Sequence, residues 1–132
     1  MSTDADFSRQ LHQFVRDRDW EQFHNPKNLV MALAGEVGEL TSVMQWMTFE
    51  EAEACAQGAS ADAVRDELAD VFIYLNLLAD RLGVDLVESA RLKISRNESR
   101  YPSDLTRGRL DRYDTYGEGP ISERDHPSSS ES

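Results

Sequence analysis

One stretch of the chain, LAGEVGELTSVMQW, has the period of an amphipathic helix but places a charge on its apolar face. Leu33 and Leu40 stand seven residues apart, which puts them on one side of an α-helix. Glu36 lies between them on that side, where a core residue belongs. Gly35 and Gly38 flank it, although a glycine in a helix interior costs about 1 kcal/mol relative to alanine. A helix built in this way requires a partner that compensates the charge.

Helical period dominates the first hundred residues, and no useful length has the period of two that marks a strand. Asn25 is suited to cap a helix with Pro26 in its first turn, and Gly83 is suited to end another. The predicted helices span residues 8–18, 26–47, 60–83 and 85–99, with a shorter one across 50–55. The residues expected to face inward on the first helix are Leu11, Phe14 and Val15. The sequence therefore predicts an all-α fold that resembles a four-helix bundle.

The segment 60–83 is apolar on more than one face. Its predicted inner stripe consists of Val64, Leu68, Val71, Leu75, Leu78 and Leu82. Phe72, Ile73 and Leu77 lie on other faces. A helix that is apolar most of the way round is buried on several sides, so the sequence predicts a homo-oligomer, as a dimer or a tetramer. Ile73 points away from the stripe and is expected at the interface between copies.

At 132 residues the chain has the length of one domain. Only 39% of its residues are hydrophobic, so a core is feasible only if part of the chain stays outside it. Residues 103–132 are rich in Gly, Ser, Pro and charge and have no apolar period, which is typical of segments that do not fold. We therefore expect a helical domain over residues 1–102 and a polar, flexible tail over 103–132, with a short docked piece near Tyr113 and Tyr116.

The formal net charge is −11. Seven acidic and four basic residues in 103–132 contribute −3, which leaves −8 on residues 1–102. This balance argues against binding to a nucleic-acid polymer, which requires a basic face. No apolar run approaches the ~18 residues of a membrane span, the start lacks a signal-peptide pattern, and Cys55 is the single cysteine. The expectation is a cytoplasmic protein with no membrane partner.

Each of the two central helices carries two carboxylates three residues apart, and residues at that spacing are neighbours on a helix surface. The pairs are Glu36 with Glu39 and Glu67 with Asp70, and Tyr74 follows one turn later. If these helices pack antiparallel, four carboxylates meet, and two like charges 4 Å apart cost about 4 kcal/mol near a protein surface. A divalent cation bound between the carboxylates makes their electrostatic energy favourable, and oxygen ligands favour Mg²⁺, Mn²⁺ or Ca²⁺. The two flanking glycines would let a ligand or another backbone approach.

Two other interpretations of the acids stay open on pattern alone. Acidic pairs at this spacing are common on solvated helix faces, although these two pairs lie on or beside apolar stripes. A di-iron bundle uses Glu-x-x-His motifs, and neither His12 nor His24 stands at that spacing from a central acid.

The acids belong to longer blocks whose order is informative. E-V-G-E at 36–39 precedes E-L-A-D at 67–70, and the blocks around them are RDWEQFHNPKNL at 18–29, DELADVFIYL at 66–75 and KISRNESRYP at 93–102. The acids are similar to the E-x-x-E … E-x-x-D signature of the all-α nucleoside triphosphate pyrophosphohydrolases, the MazG-like superfamily. Together the blocks resemble its dCTP pyrophosphatase branch over residues 8–102.

The resemblance implies hydrolysis of a nucleoside triphosphate to the monophosphate and pyrophosphate, with dCTP or a modified dCTP as the leading substrate. It implies that Mg²⁺, for which Mn²⁺ can substitute, is held by the catalytic residues Glu36, Glu39, Glu67 and Asp70. The implied nucleoside contacts are Trp20, Glu21, Gln22, Phe23, His24, Trp46 and Tyr74. Lys93 and Asn97 on the basic fourth helix are candidate phosphate contacts. The family packs as dimers and this branch as a dimer of dimers, which agrees with the apolar third helix.

Two positions depart from the branch. Ser42 stands where a further acid is usual, so the number of metal ions stays open. A relative has a substrate-contacting histidine in its first helix, but an ungapped match puts Leu11 there and His12 one place later. Two other functions also stay open: a pyrophosphohydrolase for another nucleotide, such as dUTP or a damaged purine, and a non-catalytic helical module that binds a metal or a nucleotide.

Overall fold

The computed structural model describes residues 3–110, with side chains from residue 5 onward. Its helices are α1 (Thr3–Asp17), α2 (Pro26–Met44), α3 (Phe49–Ala54), α4 (Ala61–Leu82), α5 (Leu86–Arg100) and α6 (Ser103–Thr106), and a 3₁₀ turn spans Glu21–Phe23. No strand occurs within residues 3–110. The predicted all-α class is therefore confirmed.

The predicted tail lies mostly outside the described residues, including the piece near Tyr113 and Tyr116. Its first residues are described, and they form α6. The flexible character of residues 111–132 stays a prediction.

Local capping explains where the helices begin and end. The Asn25 side chain accepts a hydrogen bond from the backbone N–H of Asn28 at 2.9 Å, and Pro26 follows as the first helical residue. Thr48 caps α3 in the same way, accepting from the N–H of Glu51 at 3.1 Å. Gly83, at φ 66°, ends α4 in the left-handed conformation.

The predicted bounds differ from the observed ones by more than one residue at two helices. The first helix begins at Thr3, five residues earlier than expected, and α2 ends at Met44, three residues earlier. On α1, Leu11 and Val15 are buried as predicted, whereas Phe14 is 44% exposed. Phe14 instead packs edge-on against Trp20, with ring centroids 5.6 Å apart. The prediction that it faces the core is wrong.

Helices α2 and α4 form the main packed pair and run antiparallel. Leu29 and Leu77 belong to one buried cluster with Leu11 and Val15, while Glu36 on α2 lies near the acids of α4. Residue numbers thus rise from 29 to 36 along α2 in the direction in which they fall from 77 to 67 along α4. The antiparallel arrangement that would bring the acids together is present.

The predicted inner stripe of α4 is wrong at two of its six positions, whereas Leu78 packs against the buried cluster as predicted, and Val64, Val71 and Leu75 are partly buried. Leu68 and Leu82, two of its members, are 52% and 56% exposed, whereas Leu77, assigned to another face, is buried. Ile73, expected at an outer interface, packs against the buried cluster. Successive residues turn by about 100° around a helix, so Leu77 and Asp70 share the face toward α2 and Leu68 lies opposite. The acids are therefore on the inner face of α4, and one apolar stripe is left outside.

The contacts of the chain divide it into two units, residues 3–86 and 87–110 of the described range. The first contains α1 to α4, the buried cluster and the acids. The second contains nearly all of α5 together with α6. None of the helices within residues 3–110 combines the length and apolar character that crossing a bilayer requires.

Gly35→Ala is expected to stabilise the protein by up to about 1 kcal/mol, because alanine is the better helix former. A Cβ atom at Gly35 or Gly38 would meet no described atom within 4 Å, so the close approach expected at these glycines is absent within the described chain. Urea unfolding followed by circular dichroism measures the change. Gly83→Ala should have the opposite sign, since a left-handed φ costs a side chain about 1–2 kcal/mol. Destabilisation by Gly35→Ala would show that another group packs there.

Candidate functional site

Three of the four predicted acids converge between α2 and α4. One carboxylate oxygen from each of Glu36, Glu67 and Asp70 lies within 4.8 Å of the other two, and all three residues are partly buried. The fourth, Glu39, is exposed and stays outside this group, although its negative charge acts on Glu67. The i, i+3 spacing on α4 and the antiparallel packing of α2 bring these side chains together.

Glu67 is the most constrained member of the acidic group. Its Oε2 atom is buried and has no hydrogen-bond partner among the described residues. Burial raises the pKa of Glu67 above its usual range, and the Glu36 carboxyl, which can share a proton with it, raises that pKa further. The charges of Asp70 and Glu39 act in the same direction. A buried oxygen without a donor, surrounded by like charges, is unfavourable unless a proton or a cation occupies the space.

The donor set at this point suits a hard divalent cation. All available atoms are carboxylate oxygens, which Mg²⁺, Mn²⁺ and Ca²⁺ prefer, and no thiolate or imidazole joins them within the described chain. The unpartnered Glu67 oxygen is a ligand atom without a ligand. The residues present therefore fit a metal ion.

Ser42 does not extend the acidic group. Its hydroxyl donates to the carbonyl oxygen of Gly38 at 3.0 Å, one turn back along α2. In this conformation the hydroxyl is engaged by its own helix.

The segment from Trp20 to His24 forms the connection between α1 and α2. The Arg18 guanidinium lies over the Phe14 ring, 3.6 Å from its centroid, and 5.9 Å from that of Trp20. Gln22 donates to the backbone carbonyl and the carboxylate of Asp19, both at 2.9 Å. Phe23 is more than half exposed, so three of the five predicted nucleoside contacts of this segment are engaged locally or face outward.

Glu21 and His24 are placed differently from the rest of that segment. Both line a cavity with His12 of α1 and Asp80 of α4. The imidazole Nε2 of His12 is 3.2 Å from a carboxylate oxygen of Asp80. The sequence analysis left the role of His12 open and overlooked Asp80. His12 and Asp80 are 68 positions apart in the chain. No local sequence pattern pairs them, because the contact depends on how two separate helices pack together.

Trp46 lies far from the Trp20–His24 segment. It follows the carboxyl end of α2 and is 87% exposed, whereas the segment precedes the amino end of the same helix. A helix of 19 residues is about 28 Å long. One chain therefore does not bring Trp46 and Trp20 to the same base ring. Tyr74 is partly buried and packs against the core cluster, one turn beyond Asp70.

The two predicted phosphate contacts are on α5, in the second unit. Lys93 is exposed, and Asn97 is partly buried, with its backbone carbonyl accepting from the N–H of Tyr101 at 2.7 Å. Their role toward a substrate stays a prediction.

The sequence pattern of the MazG-like family matches residues 32–114. The chain belongs to the MazG-like family. It is 46% identical to human dCTP pyrophosphatase 1 over 119 residues, which cover 87% of this chain and 69% of the human protein. It is 44% identical to dCTP pyrophosphatase 1 of Rattus norvegicus over 119 residues, covering 89% of this chain and 70% of the rat protein.

A solved structure agrees with this assignment. The crystal structure of a pyrophosphatase from Archaeoglobus fulgidus superposes with a TM-score of 0.70 and 33% sequence identity, covering 77% of this chain and 94% of the other. The MazG-like pattern includes the three converging acids but begins after the Trp20–His24 segment. The match to the MazG-like family therefore covers the part of the chain that holds the three acids. It does not cover the Trp20–His24 segment, so it does not bear on base recognition by that segment.

Proposed function

We propose that this protein is a Mg²⁺-dependent nucleoside triphosphate pyrophosphohydrolase that converts dCTP, or a modified dCTP, to the monophosphate and pyrophosphate. The observation that carries the proposal is the buried, unpartnered Glu67 oxygen among three carboxylates. The names of the two mammalian relatives support the reaction and the cytosine preference.

Glu36, Glu67 and Asp70 would hold the metal ion. Glu39, whose charge acts on Glu67, would add a further negative charge near that ion. When bound, Mg²⁺ neutralises phosphate charge and polarises the phosphoryl oxygens. The protein's own part is to fix three carboxylates on two rigid, packed helices. Ligands on such elements hold their geometry better than ligands on loops. Lys93 and Asn97 are proposed to contact the phosphates that the metal leaves uncovered.

The protein is further proposed to act as a homo-oligomer, with the tetramer preferred over the dimer. Leu68, Phe72 and Leu82 on the outer face of α4 are each more than half exposed in the single chain. Exposed apolar stripes of this kind mark interaction surfaces. We also propose that in the oligomer the exposed Trp46 of one copy contacts a nucleotide held by another copy. The cytoplasmic location and the absence of nucleic-acid and membrane partners stay predictions.

Product analysis tests the proposed reaction directly. The protein is incubated with Mg²⁺ and each of dCTP, dUTP, dTTP, dATP and dGTP, and the products are separated by ion-exchange chromatography. We expect dCMP and pyrophosphate from dCTP at the highest kcat/KM. Release of inorganic phosphate would contradict the reaction type, and equal kcat/KM for all five substrates would remove the cytosine preference. No turnover of any nucleotide would leave a binding module.

A further inference from the structure

Helix α5 lies open along most of its length. Thirteen of its fifteen residues are exposed, and Leu86 and Asn97 are partly buried. Val87 and Ile94, which stand seven residues apart on one side of the helix, are 52% and 58% exposed. Apolar side chains left open in this way mark an interaction surface. The second unit therefore presents an apolar stripe that is available for binding.

A basic stripe runs beside the apolar one. Lys93 and Arg96 are exposed and lie three residues apart, so they are neighbours on the helix surface. Within residues 5–110 they form no ion pair or side-chain hydrogen bond. Residues 87–110 hold six basic and three acidic side chains, a net charge of +3, whereas residues 1–86 carry −10. The open face of α5 thus suits a partner that is both acidic and apolar.

The chain itself continues into a segment with this chemistry. Residues 111–118, DRYDTYGE, contain three acidic side chains and two tyrosines, and ten residues separate them from the end of α5. The MazG-like pattern extends to residue 114 and so includes the first half of this acidic segment. In an extended conformation eight residues reach about 25 Å, and the fifteen residues of α5 rise about 22 Å. The acidic segment is therefore long enough to lie along the whole helix.

The spacing within the acidic segment separates its charges from its rings. Asp111 and Asp114 stand three residues apart, and so do Tyr113 and Tyr116. In an α-helix or a polyproline helix, residues three apart share one side. The two carboxylates would then form one edge and the two rings another, which matches the basic and apolar stripes of α5.

We propose that the acidic segment binds along α5 of its own chain, with its carboxylates beside Lys93 and Arg96 and its tyrosine rings on Val87 and Ile94. Exposed ion pairs contribute little individually, so the aromatic contacts are needed to hold the segment. Its attachment to the same chain also favours binding. A short connection gives an effective concentration on the order of millimolar, at which weak contacts suffice.

Binding of the acidic segment has a consequence for the substrate. Lys93 is one of the proposed phosphate contacts, so this consequence rests on the proposed function. A carboxylate paired with Lys93 competes with the triphosphate for the same ammonium group. The acidic segment is then a competitor built into the chain, which raises KM for the nucleotide and leaves kcat unchanged.

Hydrogen exchange of the α5 amides, measured by mass spectrometry on the full chain, tests the binding without any substrate. The test variant reverses the three acids of the segment by Asp111→Lys, Asp114→Lys and Glu118→Lys. Exchange in α5 should become about threefold faster or more, because each lost ion pair accounts for up to a few-fold. The matched control makes the same change of charge further along the chain and should exchange like the wild type; it carries Glu123→Lys, Asp125→Lys and Glu131→Lys.

Reversing the charges on both sides shows whether the contact is direct. Adding Lys93→Glu and Arg96→Glu to the test variant should restore slow exchange in α5, since opposite charges again face each other. Equal α5 exchange in the wild type and the test variant would overturn the proposal. Slow exchange that depends on protein concentration and not on the three acids would also overturn it, because a second copy would then cover this face.

Kinetics with dCTP test the competition. In the test variant KM should fall by about the factor by which α5 exchange rises, because both report the fraction of chains in which the segment is unbound. The control should keep the wild-type KM. An unchanged KM in a variant whose α5 exchange has risen would overturn the competition. If the wild type hydrolysed no nucleotide, the proposed function would fail, whereas the exchange measurement would still decide whether the segment binds.

Discussion

Glu67→Gln should lower kcat/KM for dCTP by at least about a hundredfold. Residues that only support a metal ligand typically contribute 10–100-fold to affinity or activity, and Glu67 is proposed to be a ligand itself. The amide keeps the size of the side chain but removes its charge. The same loss is expected for Asp70→Asn and Glu36→Gln, since their oxygens converge with that of Glu67 within 4.8 Å. EDTA should remove activity, and Mg²⁺ or Mn²⁺ should restore it.

Without metal, the same substitution should stabilise the protein. The pKa of Glu67 is raised by burial and by the neighbouring acids, so its ionised form is disfavoured in the folded chain. Folding then favours the protonated form, and the unfavourable contribution appears as pH rises through the raised pKa. Glu67→Gln should therefore raise Tm in EDTA at pH 7.5, and the gain should shrink as pH is lowered below that pKa.

Two measurements make this result specific to the metal site. Glu53→Gln removes a carboxylate from the exposed face of α3 and should change neither activity nor Tm in EDTA. Titration calorimetry with Mn²⁺ should show binding to wild type and much weaker binding to Glu67→Gln. Full activity of Glu67→Gln, or unchanged Mn²⁺ affinity, would mean that the acids are not the metal ligands.

The sequence predicted the helices and the acidic group for a physical reason. Helix caps such as Asn25 and Gly83 act locally, so the sequence alone identifies them. The predicted helix ends therefore agree with the observed ones to within a few residues at most positions. The charge at Glu36 was informative because an apolar period continues on both sides of it. Its explanation is the group formed with Glu67 and Asp70.

The sequence predictions were wrong where contacts between residues far apart in the chain determine the packing. Helix α4 has two apolar faces, and periodicity identifies both without saying which one meets α2. Leu77 was therefore misplaced relative to Leu68. The pairing of His12 with Asp80 depends on how α1 packs on α4 and has no local signal. The separation of Trp46 from Trp20 was different, because the two residues flank opposite ends of α2, which is about 28 Å long.

The outer stripe of α4 leads to the second large expected effect. Leu68→Lys should convert the oligomer to a folded monomer, because a lysine in the centre of an apolar interface buries a charge without a partner. Leu68 is 52% exposed in the single chain, so the substitution leaves the internal core untouched. Light scattering should give a mass near 15.0 kDa, that of one chain, with unchanged helical circular dichroism. Leu105→Lys, at 47% exposure on α6, is the control and should stay assembled.

Ile73→Asp provides the contrast that locates the interface. Ile73 packs against the buried cluster of Leu11, Val15, Leu29 and Leu77, so an aspartate there should unfold the chain, with loss of helical signal at ordinary temperature. A folded monomer from Leu68→Lys and an unfolded chain from Ile73→Asp would establish that α4 uses one face for its own core and the other for assembly. If Leu68→Lys remained a tetramer of unchanged stability, the outer stripe would not be the contact. The route by which Trp46 of another copy reaches the nucleotide would then have to involve a different surface.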